Sequence, residues 1–199
     1  MTAAAMLAPV DAPFAAALVA LGRRREHVVV LSADLSKYTD VLPFAHEFPH
    51  RFFQLGMAEA NMMGVAGGLA KTGHLPVAVT YGVFATRRAY DQIAMALSTG
   101  PSRGIVVAFL PGITTPFKAT HQAIDDLALM RALPGMTVID PADATEVAAA
   151  LEFAVDAEGS VYVRGLRGIV PRLFEPDGFE LGERLVADGG DLGIVATGL

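Results

Sequence analysis

The sequence predicts an α/β fold: a mostly parallel sheet with helices on both faces. Three observations carry this expectation. Apolar character switches repeatedly between short β-branched runs and stretches with helical spacing. The helical stretches are about ten residues or longer, which suits βαβ crossovers. The strand-like runs are apolar throughout rather than alternating, as buried parallel strands are.

The elements follow in order. Ala15 to Leu21 has helical spacing and runs into the basic Arg23-Arg24-Arg25, suited to a helix C-terminus. Val28 to Leu31 is a short buried strand. Glu59 to Ala70 forms a helix closed by Gly73, and Pro76 to Thr80 a strand. A helix over Phe84 to Leu97 ends near Gly100-Pro101. Ile105 to Phe109 is a strand, Asp125 to Leu133 a helix and Thr137 to Ile139 a strand. Ala142 to Val155 is a helix and Val161 to Arg164 the next strand. The polar, glycine-rich stretch from residue 172 to 190 suggests a linker after a first domain spanning 1 to 171. Leu192 to Ala196 looks like a new strand, as if a C-terminal α/β domain began at 191. In a parallel sheet, ligands sit beyond the carboxyl ends of the strands. That singles out the loops at 32–40, 81–84, 110–122 and 165–171.

Composition narrows the function. Of the 199 residues, 53% are hydrophobic and 18% charged, which describes a core-rich globular chain rather than a disordered one. The net charge of −6 argues against a nucleic-acid or acidic-membrane surface. Without cysteine there is no disulfide, zinc–thiolate or thiol nucleophile. The apolar start has no basic residue ahead of it, unlike a secretory signal, and no window approaches a membrane span. A soluble, cytoplasmic protein is expected.

Three constellations stand out, each with a plain alternative. In Gly56-Met57-Ala58-Glu59-Ala60-Asn61-Met62-Met63-Gly64-Val65-Ala66-Gly67-Gly68, Glu59 and Asn61 are the strongly polar side chains. Glu59 could simply complement a helix dipole in water. Yet Met57, Met62, Met63 and Val65 spread around the helix, so most faces should be buried. A carboxylate there needs a specific partner or is pushed toward its neutral form. The three glycines suggest close approach by another backbone. In Tyr81-Gly82-Val83-Phe84, two aromatics stand where a strand hands over to a helix, as core or as a pocket wall. In Ala119-Thr120-His121-Gln122, Thr120 or Asp125 could cap a helix. His121 in such a loop could also carry a proton near neutral pH. A fourth pattern, His46-Glu47-Phe48-Pro49-His50, matches the HExxH zinc motif. That chemistry needs one continuous helix, which Pro49 interrupts.

Together the three constellations resemble the pyrimidine-binding domain of transketolases, over roughly Pro9 to Pro171. Ser32-Ala33-Asp34-Leu35 and the run from Pro134 to Asp143 extend the match. The resemblance implies thiamine diphosphate as cofactor and transfer of a two-carbon ketol unit between sugar-like phosphates. Glu59 would bond N1′ of the aminopyrimidine and activate it. Phe84 would stack on the ring, Tyr81 line its pocket, and Asp34 and Leu35 lie near the cofactor. His121 would stand near the reacting carbons as a catalytic and substrate-binding residue, and Arg167 would hold the sugar phosphate. The substrate side departs from the family pattern: Phe117 replaces an Asp, Phe109 a His and Tyr38 a Ser. An unusual donor or acceptor is therefore expected.

The chain also lacks the family's GDG motif, and Asn61 is its one asparagine. The diphosphate with its Mg²⁺ or Ca²⁺ would then be held by a partner subunit, in a hetero-oligomer such as α2β2. A 1-deoxyxylulose-5-phosphate synthase-like or E1β-like subunit is the neighbouring alternative. A non-catalytic, partner-binding relative is the more distant one.

Overall fold

A computed structural model describes residues 7–114, 119–182, 189 and 191–199. Six strands form one wholly parallel sheet: β2 (Val28–Ser32), β3 (Phe52–Gln54), β4 (Leu75–Tyr81), β5 (Ile105–Phe109), β6 (Thr137–Ile139) and β7 (Val161–Gly165). Their order across the sheet is β3-β2-β4-β5-β7-β6. A separate antiparallel pair joins β1 (Leu7–Asp11) to β8 (Ile169–Arg172). The expected sheet and its parallel sense are therefore present.

The helices divide between the two faces, and the two-residue period of the strands explains how. Val28, Val30, Val77, Val79, Tyr81 and Val107 pack with α1 (Pro13–Arg24), α2 (Leu42–Glu47) and α6 (Ala144–Asp156). Their neighbours Val29, Leu31, Ala78, Val106 and Ala108 pack with α3 (Glu59–Lys71), α4 (Gly82–Ile93) and α5 (Asp126–Arg131). Because both faces are covered, the strands read as continuous apolar runs.

Several boundaries shifted for identifiable reasons. The α6 helix begins at Ala144 rather than Ala142 because Asp143 caps it, its carboxylate accepting the Glu146 N–H at 2.7 Å. Beyond α4 the chain does not continue as one helix to Leu97. Ala89 has non-helical angles (φ −124°, ψ 15°), and Ala94–Ser98 form a wider π-turn. Of the α3 glycines, Gly67 meets another backbone: a Cβ there would lie 2.9 Å from the Ala96 carbonyl oxygen. Gly64 and Gly68 face open space instead. Met62 and Met63 are fully buried as expected, whereas Met57, just ahead of the helix, is exposed.

The HExxH pattern is split, with His46 in the last turn of α2 and Pro49 opening a separate 3₁₀ turn that carries His50. Residues 191–199 contain no strand; Leu192, Ile194 and Val195 are exposed, and Thr197 donates to Asp140 at 2.9 Å. An isolated apolar run has no sheet edge to pair with, so its β-propensity has nothing to act on. No helix among the described residues is long and apolar enough to cross a membrane.

Candidate active site

Two helices aim their N-termini at the carboxyl end of the sheet, and the site grows from them. The α3 helix leads into β4 and the α4 helix leaves it, so Glu59 and Gly82 lie at the same end. The topology opens a crevice there. From β2 the chain steps outward to β3, then returns past β2 to β4, so the loops after β2 and β4 diverge. Backbone strain gathers at the same end. Asp34 (φ 60°), Asp40 (φ 54°) and Leu110 (φ 57°) adopt left-handed conformations in the segments after β2 and β5.

Glu59 is the first residue of α3 and only 2% exposed. The plain alternative of a surface carboxylate is thus excluded. Its partner is Arg88 of α4, whose Nη1 donates to both carboxylate oxygens at 2.9 Å. The same guanidinium lies over the Phe84 ring, 4.4 Å from its centroid. Phe84 and Arg88 are four residues apart on one helix, which stacks them on the same side. This link was missed in the sequence, although the i, i+4 spacing of an aromatic and an arginine was there to be read.

The structure brings Tyr81, Phe84 and His121 into one cluster. Tyr81 and Phe84 stack with centroids 5.9 Å apart, and His121 presents its ring edge-on to both, at 6.2 and 5.4 Å. Tyr81 is 5% exposed, and burial pushes its phenol up. The nearby Arg167 guanidinium opposes that shift, while Tyr38 adds to it. Arg167 is thereby drawn to the same cluster from the loop after β7. That loop is pinned where the Gly168 N–H donates to Asp40 at 3.2 Å.

Other expected residues are placed differently. The Asp34 N–H donates to Gln54 at 2.6 Å, and Gln54 donates in turn to Ser36. Leu35 packs on the core, and its carbonyl accepts the N–H of Tyr38 at 2.8 Å. These two residues therefore shape the β2 loop that presents Tyr38. Phe109 is fully buried, edge-on to Phe14 at 5.1 Å and close against Gly165. It is a core residue, so its departure from the family pattern does not alter an exposed wall. Phe117 lies outside the described residues. Thr120 bonds the Nδ1 of His121 at 2.9 Å rather than capping a helix, whereas Asp125 does stand at the N-cap of α5, its carboxylate pairing with Arg87 at 3.0 Å instead of with the helix backbone.

Beside the site lies a closed charge network that the sequence did not disclose. Asp126 is fully buried and accepts from the Tyr162 hydroxyl at 2.9 Å and from Arg164 at 2.6 Å. Arg164 also reaches Asp140 at 3.1 Å. Asp126 opens α5, just past His121, and Arg164 precedes the Arg167 loop. The network thus ties together the two segments that carry these residues.

Residues 10–172 match the family described as transketolase, pyrimidine binding domain. The chain belongs to the transketolase family. It is 45% identical to an uncharacterized transketolase family protein of Sinorhizobium fredii, over all of this chain and 61% of that protein. It is 40% identical to a protein of Methanocaldococcus jannaschii described as a transketolase C-terminal section, over 91% of this chain and 59% of the relative. Among solved structures it resembles a split gene transketolase described as an inactive β4 tetramer. The TM-score is 0.76 at 44% identity, over 85% of this chain and 55% of that one. The chain thus spans about three fifths of the length of these curated relatives.

Membership in this family implies thiamine diphosphate, and the residues fit its aminopyrimidine half. A buried carboxylate stands at a helix N-terminus beside a ring able to stack, at the open end of the sheet.

Proposed function

We propose that this chain supplies the pyrimidine side of a thiamine-diphosphate transketolase site that is completed by a second subunit. The observation that carries this reading is Glu59, buried at the α3 N-terminus and paired with Arg88, whose guanidinium lies over Phe84 in the stack with Tyr81. Such a carboxylate, shielded from water, is placed to accept a hydrogen bond from a ring N–H. The cofactor, when bound, supplies a nucleophilic thiazolium carbon.

Glu59 holds a proton at the ring nitrogen N1′ and so governs the acid–base state of the ring. Phe84 offers a face for stacking, and Tyr81 walls the pocket near Arg167. Asp34 and Leu35 set the β2 loop against the cofactor's edge. His121, at the mouth of the aromatic cluster, moves a proton to or from a substrate hydroxyl or carbonyl oxygen. Arg167 binds an anionic group at the far end of the substrate. Tyr38, half exposed beside Tyr81, narrows that end, which suits a sugar-like phosphate other than the usual pentoses.

The diphosphate and its Mg²⁺ or Ca²⁺ fall to a partner subunit in a cytoplasmic assembly such as α2β2. Relatives described as a C-terminal section and as a split gene product support that division of labour.

The test is direct. Chain and partner together should bind thiamine diphosphate with Mg²⁺ by calorimetry, and Glu59→Ala should remove turnover while circular dichroism stays native. Near-normal turnover of that variant would sink the mechanism. Turnover of hydroxypyruvate or a ketose phosphate supports ketol transfer. Turnover of pyruvate alone would favour the synthase-like alternative, and no cofactor binding at all a non-catalytic role.

A further inference from the structure

The Arg88 guanidinium makes both contacts that the proposed aminopyrimidine would make. It donates to the Glu59 carboxylate at 2.9 Å and lies over the Phe84 ring, 4.4 Å from its centroid. A planar cation with N–H donors is a fair mimic of a protonated aminopyrimidine, which is also planar and also donates at its edge. We infer that Arg88 is a placeholder for the cofactor's ring, holding the Glu59 carboxylate until the ring displaces it.

The two partners are unequal in a way that suits exchange. Glu59 is 2% exposed, while the Arg88 side chain is 51% exposed. Released, the guanidinium returns to water at small cost. Left alone, the carboxylate would be a buried charge without a donor, which is expensive. Arg88 therefore stays until a substitute N–H arrives, and the site is never left with an unpaired Glu59.

The surroundings confine the movement to Arg88. Tyr81, also stacked on Phe84, is 5% exposed, so it is packed in place and not free to clear a ring face. The helix breaks from regular geometry at Ala89, immediately after Arg88. Arg87, one residue earlier, is already committed to Asp125 and cannot take over the role.

This inference rests on Glu59 being the pyrimidine contact, and it makes affinity rise when a native contact is removed. The isolated chain is titrated with the free aminopyrimidine fragment of thiamine and followed by ligand-observed NMR. Arg88→Gln, which leaves an amide donor near Glu59, should bind the fragment about tenfold more tightly than the native chain. Arg88→Lys keeps the charge but not the flat stacking, and should fall between the two. The double variant Glu59→Gln/Arg88→Gln, with no buried charge left unpaired, should remain folded and lose the gain.

Equal affinity in native and Arg88→Gln chains, including none for either, overturns the placeholder. So does weaker binding to Arg88→Gln. Calorimetry of the complex with thiamine diphosphate and Mg²⁺ separates the two kinds of failure. Binding by the native complex with no gain in Arg88→Gln refutes the placeholder alone. No binding by either complex refutes the cofactor reading as well.

Discussion

Two arginine–carboxylate groups lie at the carboxyl end of the same sheet, and they are built oppositely. Arg164 is 14% exposed and its charges are enclosed: Asp126 on one side, Asp140 on the other, with the Tyr162 hydroxyl closing the set. Arg88 reaches a carboxylate that is just as hidden, but does so from the surface. In the first group all three nitrogens of the arginine donate to buried carboxylates, and the members hold one another in place. In the second, one member can depart provided a replacement arrives. The closed network is suited to fixing geometry, and the half-open pair to exchanging partners.

The comparison is broken most severely by attacking the closed network. Asp126→Ala should cost about 3–5 kcal/mol, because it removes two of the three carboxylate contacts of Arg164 and the acceptor of the Tyr162 hydroxyl in a site with little water. Chemical denaturation would measure it. A loss below about 1 kcal/mol would mean that the network is no more than a surface ion pair. Glu59→Gln should cost less than Asp126→Ala in the same measurement, since Arg88 can turn to solvent.

A second perturbation concerns close packing rather than charge. Gly67→Ala places a methyl group 2.6 Å from the Ala96 Cβ and 2.9 Å from its carbonyl oxygen. Backbone must shift, at about 1–3 kcal/mol. A melting temperature unchanged from the native chain would show that the contact between α3 and the π-turn after α4 yields freely.

The tyrosine of the network gives the comparison a pH signature. Burial, then Asp126, raise the Tyr162 phenol well above its usual range. The folded chain therefore holds the proton more tightly than the unfolded one. Its contribution is complete below the unfolded value of about 10 and is lost as pH rises beyond it toward the folded value. Tyr162→Phe should flatten that alkaline decline while costing about 1 kcal/mol near neutrality, for the hydrogen bond to Asp126. Parallel alkaline melts of the two chains would check it. An identical slope above pH ~10 would mean that another group is responsible.

What the sequence disclosed follows the same division. The parallel sheet was legible because Val28 to Leu31, Val77 to Val79 and Ile105 to Phe109 are apolar on both faces, and nothing but two-sided burial asks for that. β1, α2, β3 and β8 were not foreseen. Each is six residues or fewer, and the pairing of β1 with β8 links residues some 160 positions apart, which no local pattern encodes. Glu59, Tyr81 and Phe84 were found through motif spacing, and the geometry brings Tyr81 and Phe84 together with His121. Arg88 and Asp126 escaped because their neighbours Arg87 and Asp125 carry the same charge. Composition cannot say which of an adjacent pair turns inward, and only tertiary packing decides it.

The smallest effects should come from the open face of α3, and they also sharpen the contrast between a closed and an open surface. A Cβ at Gly64 or Gly68 would meet nothing within 4 Å, unlike one at Gly67. In the isolated chain, Gly64→Ala and Gly68→Ala should each stabilise α3 by about 0.5–1 kcal/mol, because alanine restricts the unfolded backbone and fits the helix. If this face docks the partner subunit that would complete the site, the same methyl groups obstruct close approach, and assembly should weaken as stability rises. Melting of the free chain, alongside sedimentation of chain and partner, reads both quantities. Stabilisation with undiminished assembly would place the subunit interface elsewhere. It would then leave the glycines of this face as helix positions with no packing role.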